Sequence, residues 1–316
     1  MRLLYFGSGA FGLPTLQTLH ASDEHQVAAV VSQPDKPAGR KRELTPTPVA
    51  AWAADEGLTV LKTDDVNTAE FVETIAGHRP DASVVIAFGQ KLSPELIAAM
   101  GRLAVNVHSS LLPKFRGAAP INWAMIENEP VTGVSVIGLA QKMDAGEIYA
   151  IAETPIDPDE TAGELHDRLA QLGPACVQKV LYDLAADELA PLPQDHAAAT
   201  RAPKFTKADG TVEFDQTAAR VRARIHGLTP WPGCRVVWRN TDGTAKPLTL
   251  RRVRDHAECV HATQAPGTVQ TDLRIKCLEG AIELREVQLP GGKVIPFAEF
   301  ARGHRFKPGD TLSPLA

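Results

Sequence analysis

Cysteine is scarce. The 316 residues hold four, Cys176, Cys234, Cys259 and Cys277, and no two form a C-x-x-C pair. That scatter excludes a disulfide framework and a zinc ribbon, and it suits a reduced, cytoplasmic protein. None of the ten histidines falls in an H-E-x-x-H or comparable spacing, so no metal site is expected. Apolar runs are short and broken by glycine, proline or charge, so no membrane span or membrane partner is expected. The opening MRLLYFGSGAFG has no apolar h-region followed by a small-residue cleavage site. It reads as a strand and turn of the folded chain, not as a signal peptide. Internal repeats and low-complexity tracts are missing too, which sets aside a repeat architecture.

The chain does have length and an ordinary apolar share. At 316 residues it is comfortable for two domains, and 44% apolar residues suffice for a buried core. Its net charge of −5 conceals an asymmetry. From Lys204 onward there are 18 basic and 12 acidic residues, a balance of +6; before it there are 15 and 26, a balance of −11. A basic appendage on an acidic body is what a polyanion-binding module needs, because Lys and Arg displace counterions from phosphates. Ordinary surface variation explains the same counts equally well.

The first two-thirds alternates apolar runs with helical periodicity. LPTLQTLH (13–20) puts Leu13, Leu16 and Leu19 on one helical face, with Pro14 in the first turn. RLLYF (2–6), QVAAVVS (26–32), LTVLK (58–62), ASVVIAF (82–88) and LAVNVH (103–108) read as strands. TPVAAWAADEG (47–57), a segment around 68–78 and SPELIAAM (93–100) read as helices, the last with Ser93 as cap. Apolar strands separated by helices predict an α/β fold: a Rossmann-like, mostly parallel sheet with helices on both faces. A long amphipathic helical stretch, 161–187, closes this expected catalytic domain over 1–187. Residues 188–204, rich in Pro and Ala without periodicity, read as a linker. Residues 205–316 hold a short helix (218–228), then CRVVW, PLTLRRV, GTVQ, LRIKCL and AIELREVQLPGGKVIPF. Short alternating strands with Gly and Pro turns predict a smaller, OB-like antiparallel β-barrel.

GSGAFG (7–12) matches G-x-G-x-x-G between a strand and a helix, the setting of a dinucleotide fingerprint. The fingerprint also needs an acid at the tip of the second strand, to hold the ribose hydroxyls. That tip is Ser32, and Asp35 arrives late. The glycines are therefore read first as a tight turn with close helix packing. A nicotinamide-dependent oxidoreductase stands as the rival reading.

The densest chemistry lies in VNVHSSLLPKFRGAAP (105–120). Asn106 and His108 sit two apart at a strand end, so their side chains share a face. In doubly wound sheets that end of the strands opens on the ligand crevice. Asp144, in KMDAGEIYA after the apolar run GVSVIGL, is a candidate third partner. An amide for a developing oxyanion and an imidazole for protons suit acyl transfer. No G-x-S-x-G elbow accompanies them, which favours direct transfer to an external amine over an acyl-enzyme. Singly, each residue is as well explained by a satisfied turn histidine, a capped turn or a loop acid.

VNVHSSLLP, KFRGAAPINWAM and MDAGEI together resemble the 10-formyltetrahydrofolate-dependent formyltransferases, with Val105 where isoleucine is usual. SQPDKPAGRKRELTPTPV (32–49), PKFTKADGTVEF (203–214), TPWPG (229–233) and FKPGD (306–310) extend the resemblance along nearly the whole chain. GSGAFG departs from it, since many members have a single-glycine turn followed by Pro and an acid. The resemblance implies catalytic roles for Asn106, His108 and Asp144. It implies folate contacts at Ser110, Leu111, Leu112 and Pro113, with Phe88 and Gly89 lining the same pocket; Leu112–Pro113 is a candidate cis bond. The implied co-substrate is 10-formyltetrahydrofolate, without a metal. The implied acceptor is the α-amine of methionine esterified to initiator tRNA. In these enzymes the loop KPAGRKREL (36–44) reaches the tRNA acceptor end, which makes Arg40, Lys41 and Arg42 expected tRNA contacts. The protein is expected to act as a cytoplasmic monomer. Formylation of a nucleotide-sugar or purine-pathway amine remains the nearest alternative, and a non-catalytic tRNA-binding protein a further one.

Overall fold

The computed structural model describes residues 1–39 and 42–315. The chain forms two compact units. One takes Met1–Gly117, Gly133–Thr154 and His166–Arg201; the other takes Ala118–Thr132, Pro155–Leu165 and the chain from Ala202 onward.

In the first unit, strands β1 (Arg2–Gly7) and β2 (Gln26–Ser32) are followed by an exposed hairpin, β3 (Lys36–Ala38) and β4 (Glu43–Thr45). Then come β5 (Val60–Lys62), β6 (Ala82–Ile86), β7 (Leu103–His108), the short β8 (Arg116–Gly117), β9 (Val131–Gly138) and β10 (Ile148–Pro155). The main sheet runs β10-β9-β7-β6-β1-β2-β5. Its pairs from β5 to β7 are parallel, and β9 joins β7 antiparallel. Every residue of β6 is buried, which is why such strands read as unbroken apolar runs. Helices α1 (Leu13–His20), α2 (Pro48–Asp55), α3 (Ala69–Gly77) and α4 (Pro94–Ala99) fall where the periodicity predicts them. Thr47, Thr68 and Ser93 cap the last three, each side chain accepting from an N–H three residues on.

The glycines of GSGAFG serve packing. A Cβ on Gly12 would fall 2.1 Å from the Tyr5 hydroxyl, which donates to the Gly12 carbonyl at 2.8 Å. Ser32, where a ribose-binding acid would stand, is fully buried with its Oγ 2.6 Å from Thr47 Oγ1.

Helix α5 (Pro120–Ile126) belongs to the second unit. The helical stretch expected over 161–187 forms two helices, α6 (Ala162–Ala170) and α7 (Gly173–Ala185). Pro174 lacks an N–H and is tolerated only in a first turn, so a new helix starts there. Residues 188–204, aperiodic in sequence, are tied down by backbone hydrogen bonds. Leu192 and Ile148 exchange two of 2.8 Å, and the Arg116 N–H donates to the Thr200 carbonyl at 2.9 Å.

Strand β11 (Arg201–Ala202) lies where the chain passes into the second unit. That unit continues with α8 (Ala218–Gly227), β12 (Cys234–Arg239), β13 (Ala245–His256), β14 (Ile275–Lys276), β15 (Ala281–Gln288), β16 (Val294–Pro296), α9 (Phe297–His304) and β17 (Thr311–Pro314). The antiparallel order is β14-β15-β13-β12-β17, with β16 on β15. Thr268 and Val269, in the expected strand GTVQ, make single bridges to Thr311 and Ile275. They span the two edge strands and so nearly close the sheet into a barrel. Alternate residues of β12, Cys234, Val236 and Trp238, point into its core, where Trp238 meets Phe300 and Phe306. Among the described residues no helix is long and apolar enough to cross a membrane.

Candidate active site

Strand β7 ends at the site. Asn106 is half-buried on it, and His108 is 6% exposed. His108 Nε2 lies 2.9 Å from the Phe115 carbonyl oxygen. A carbonyl only accepts, so this nitrogen carries a proton and Nδ1 is left as the basic position of the neutral ring. Nδ1 faces Asp144 Oδ2 at 3.7 Å, beyond a direct hydrogen bond but close enough to stabilise an imidazolium. The same Oδ2 accepts from the Gly117 N–H at 2.9 Å. Residues 115–117 thus hold both members of the pair. Phe115 and Asp144 adopt left-handed backbone, φ 62° and 54°. Each such residue costs about 1–3 kcal/mol, so surrounding bonds must enforce it. Among the described residues no protein group hydrogen-bonds the Asn106 carboxamide, so its N–H groups remain available as donors.

The turn after His108 is rigidly built. Ser110 is fully buried; its Oγ donates to the Lys114 carbonyl at 2.8 Å. Ser135 Oγ, on β9, donates to the Ser110 carbonyl at 2.8 Å and accepts from the Leu112 N–H at 3.1 Å. Leu112–Pro113 is cis, and Leu112 packs against Ile137 and Ile148, with Leu111 and Pro113 half-buried. Gly133 lets β9 pass close beneath, since a Cβ there would fall 2.6 Å from Leu111 Cδ2.

A cavity of about 770 Å³ opens beside α4, between Asn67, Lys91, Leu92, Ile97, Leu139 and Gln141. Neither Ser110–Pro113 nor Phe88 and Gly89 are among its lining residues. The Phe88 ring packs in the core, edge-on to Phe6 at 5.5 Å, and Gly89 takes φ 88° beside Gln33. The loop Leu139–Gln141 runs on to Asp144, so the cavity wall and the acid share one segment. Among the described residues no cluster of His, Cys, Asp or Glu is placed to hold a metal.

Residues 1–181 match the family described as Formyl transferase, and residues 204–305 match Formyl transferase, C-terminal domain. Methionyl-tRNA formyltransferases of Sorangium cellulosum and Geobacter sulfurreducens are 37% and 38% identical to the chain. Each alignment covers 99% of this chain, and 99% and 96% of the relatives respectively. The chain belongs to the formyltransferase family.

Solved structures agree at the level of fold. WlaRD, a sugar 3N-formyl transferase solved in the presence of dTDP and 5-N-formyl-THF, is 16% identical, with TM-score 0.65 over 89% of this chain and 96% of its own. HypX from Aquifex aeolicus in complex with tetrahydrofolic acid is 16% identical, with TM-score 0.58; 95% of this chain spans 47% of that one.

The formyltransferase's remaining expected contacts are spread out. Arg40 and Lys41 lie outside the described residues. Arg42 is exposed, with φ 53°, in the β3–β4 hairpin. In the second unit part of the basic excess is already paired. Arg252 meets Glu164 at 2.6 Å, Arg254 meets Asp159 at 3.0 Å, and Arg222 meets Asp255 at 2.8 Å. His226 on α8 is fully buried; its Nδ1 lies 3.1 Å from the Pro158 carbonyl and its Nε2 accepts from the Val253 N–H at 3.1 Å. Burial, then Arg222 and Arg252, push its pKa down to about 4.

The sequence reading passed over Ser135, Thr200 and Gln194. Ser135 was detectable as a lone hydroxyl in the apolar run GVSVIGL. Gln194, in PLPQDH, carried no signal.

Proposed function

We propose that this formyltransferase moves the formyl group of 10-formyltetrahydrofolate onto the α-amine of methionine esterified to initiator tRNA. The arrangement at the end of β7 carries the proposal. A free Asn106 carboxamide shares a face with an imidazole whose Nε2 is tied to Phe115 and whose Nδ1 faces Asp144 at 3.7 Å. The amine attacks the formyl carbon directly: the new C–N bond forms, a tetrahedral intermediate follows, and the bond from carbon to N10 breaks. Asn106 donates to the formyl oxygen as negative charge gathers there. His108 accepts the amine's proton at Nδ1, Asp144 stabilises the imidazolium, and the proton passes to the departing N10.

The cavity fits the donor's flat rings. Leu92, Ile97 and Leu139 supply apolar walls, and Asn67, Lys91 and Gln141 supply polar edges. Ser110, Leu111, Leu112 and Pro113 brace the adjoining turn. The folate compounds in the WlaRD and HypX structures support a folate donor. The names of the curated relatives support a charged tRNA as acceptor. In this reading residues 1–187 carry the chemistry, while Arg40, Lys41, Arg42 and the basic residues of 205–316 track phosphates of the acceptor arm.

The test is a formylation assay with purified protein, 10-formyltetrahydrofolate and methionyl initiator tRNA, with elongator tRNA and small amines as controls. The initiator should be formylated and the controls spared. Formylation of a nucleotide-sugar amine at equal or better efficiency would defeat the proposal.

A further inference from the structure

Gln194 lies in the aperiodic stretch 188–204, yet it is only 8% exposed. Its Nε2 donates to two carbonyls of one turn, Asp144 at 2.9 Å and Gly146 at 2.6 Å. Its Oε1 accepts from Arg116 twice, from Nε at 3.1 Å and from Nη2 at 2.5 Å. Both N–H bonds and both lone pairs of the carboxamide are therefore used. Arg116 Nη2 also lies 2.9 Å from His196 Nδ1, which fixes the guanidinium from a second side.

We infer that Gln194, oriented by Arg116, positions Asp144 for formyl transfer. Asp144 has φ 54°, and a residue with a side chain stays in that region only where its surroundings over-determine it. Gln194 grips the backbone on both sides of Ala145, while the Gly117 N–H holds the carboxylate. Arg116 stands between Phe115, whose carbonyl holds His108, and Gly117, whose amide holds Asp144. That strip is in turn clamped by Thr200: the Phe115 N–H donates to Thr200 Oγ1 at 2.8 Å, and the Arg116 N–H to the Thr200 carbonyl at 2.9 Å. The stretch 194–200 thus sets the separation and aim of the imidazole and the acid from outside the reacting centre. Glutamine is the residue type required. A glutamate of the same size would keep its bond to Arg116 but turn an acceptor toward two carbonyl oxygens.

The inference rests on the role given to Asp144 above, and the experiment separates the two. Gln194→Glu, which preserves volume, and Gln194→Ala are made in the full chain, alone and with Asp144→Asn. Amide hydrogen exchange over 142–147 and steady-state kinetics are measured on each. Exchange over 142–147 should accelerate roughly tenfold in both single variants as the turn loosens. The kcat should fall roughly 10- to 100-fold, as expected for a small misplacement of a catalytic group, with KM for both substrates within about threefold. Added to Asp144→Asn, either change should cost less than about twofold, because its effect runs through the acid already removed. Unchanged exchange, wild-type kcat, or an equal loss in the Asp144→Asn background would each overturn the inference. If exchange rises while Asp144→Asn alone retains full kcat, the role assigned to Asp144 falls and the catalytic half of the inference falls with it.

Discussion

Acidification should unfasten the second unit through one side chain, His226. It is fully buried on α8, donating from Nδ1 to the Pro158 carbonyl and accepting at Nε2 from the Val253 N–H. A proton on Nε2 would break the second bond and place a charge beside Arg222 and Arg252, with Asp159 offsetting part of it. The folded pKa is about 4, against an ordinary value of 6.5. A depressed histidine pKa means the unfolded chain takes up the proton first as pH falls. The stabilisation is therefore complete above pH 6.5 and drains away between there and pH 4. Linkage over that shift gives a loss of about 2 kcal/mol between pH 7 and pH 5. Tryptophan fluorescence in urea suits the measurement, because Trp123, Trp231 and Trp238 lie in the second unit and Trp52 alone in the first. His226→Gln should be less stable at pH 7, because a carboxamide presents its donor and acceptor side by side where the ring presents them on opposite edges, but its midpoint should fall less on acidification. Parallel pH dependence in wild type and variant would refute the assignment.

Other outcomes follow from the site and the core. Asn106→Ala should lower kcat on the order of 100- to 1,000-fold, the usual cost of one oxyanion donor, and a loss under about fivefold would remove Asn106 from that role. Arg40→Ala should raise KM for charged initiator tRNA far more than KM for the folate donor; equal effects on both would contradict a tRNA contact. Gly12→Ala drives a methyl group into the Tyr5 hydroxyl and should cost about 1–3 kcal/mol in thermal or urea unfolding, whereas an unchanged melting temperature would show that the turn relaxes freely.

The parts of the fold that the sequence revealed were those set by local rules. The cap at Ser93 and the continuous apolar run of β6 each announced an element on their own. Helix α9 and strand β17 escaped because FAEFARGH and TLSP are short and take their burial from the barrel wall. Asn106 and His108 were readable because a two-residue spacing on a strand guarantees a shared face. That Asp144 lies beside them was a resemblance-based expectation, as 36 intervening residues carry no geometric information. The tautomer of His108 was beyond any pattern, because it depends on the Phe115 carbonyl, whose direction follows from a left-handed backbone. The cavity beside α4 was hidden for a different reason. Leu92, Ile97 and Leu139 look like core residues, and only their arrangement leaves a space between them.

The chain's route between its units limits how the molecule can be taken apart. Residues 118–132 and 155–165 are excursions that complete the second unit from within the stretch matching the N-terminal family model. A fragment starting at residue 205 would forfeit the stacking of Trp123 on Phe205 at 4.9 Å. It would also forfeit the bond from Asn122 to the Gly227 carbonyl at 2.7 Å and the Arg252–Glu164 pair. Recombination between relatives at a single junction would leave each product with a second unit of mixed origin, so exchanging that unit has to carry three pieces of chain at once.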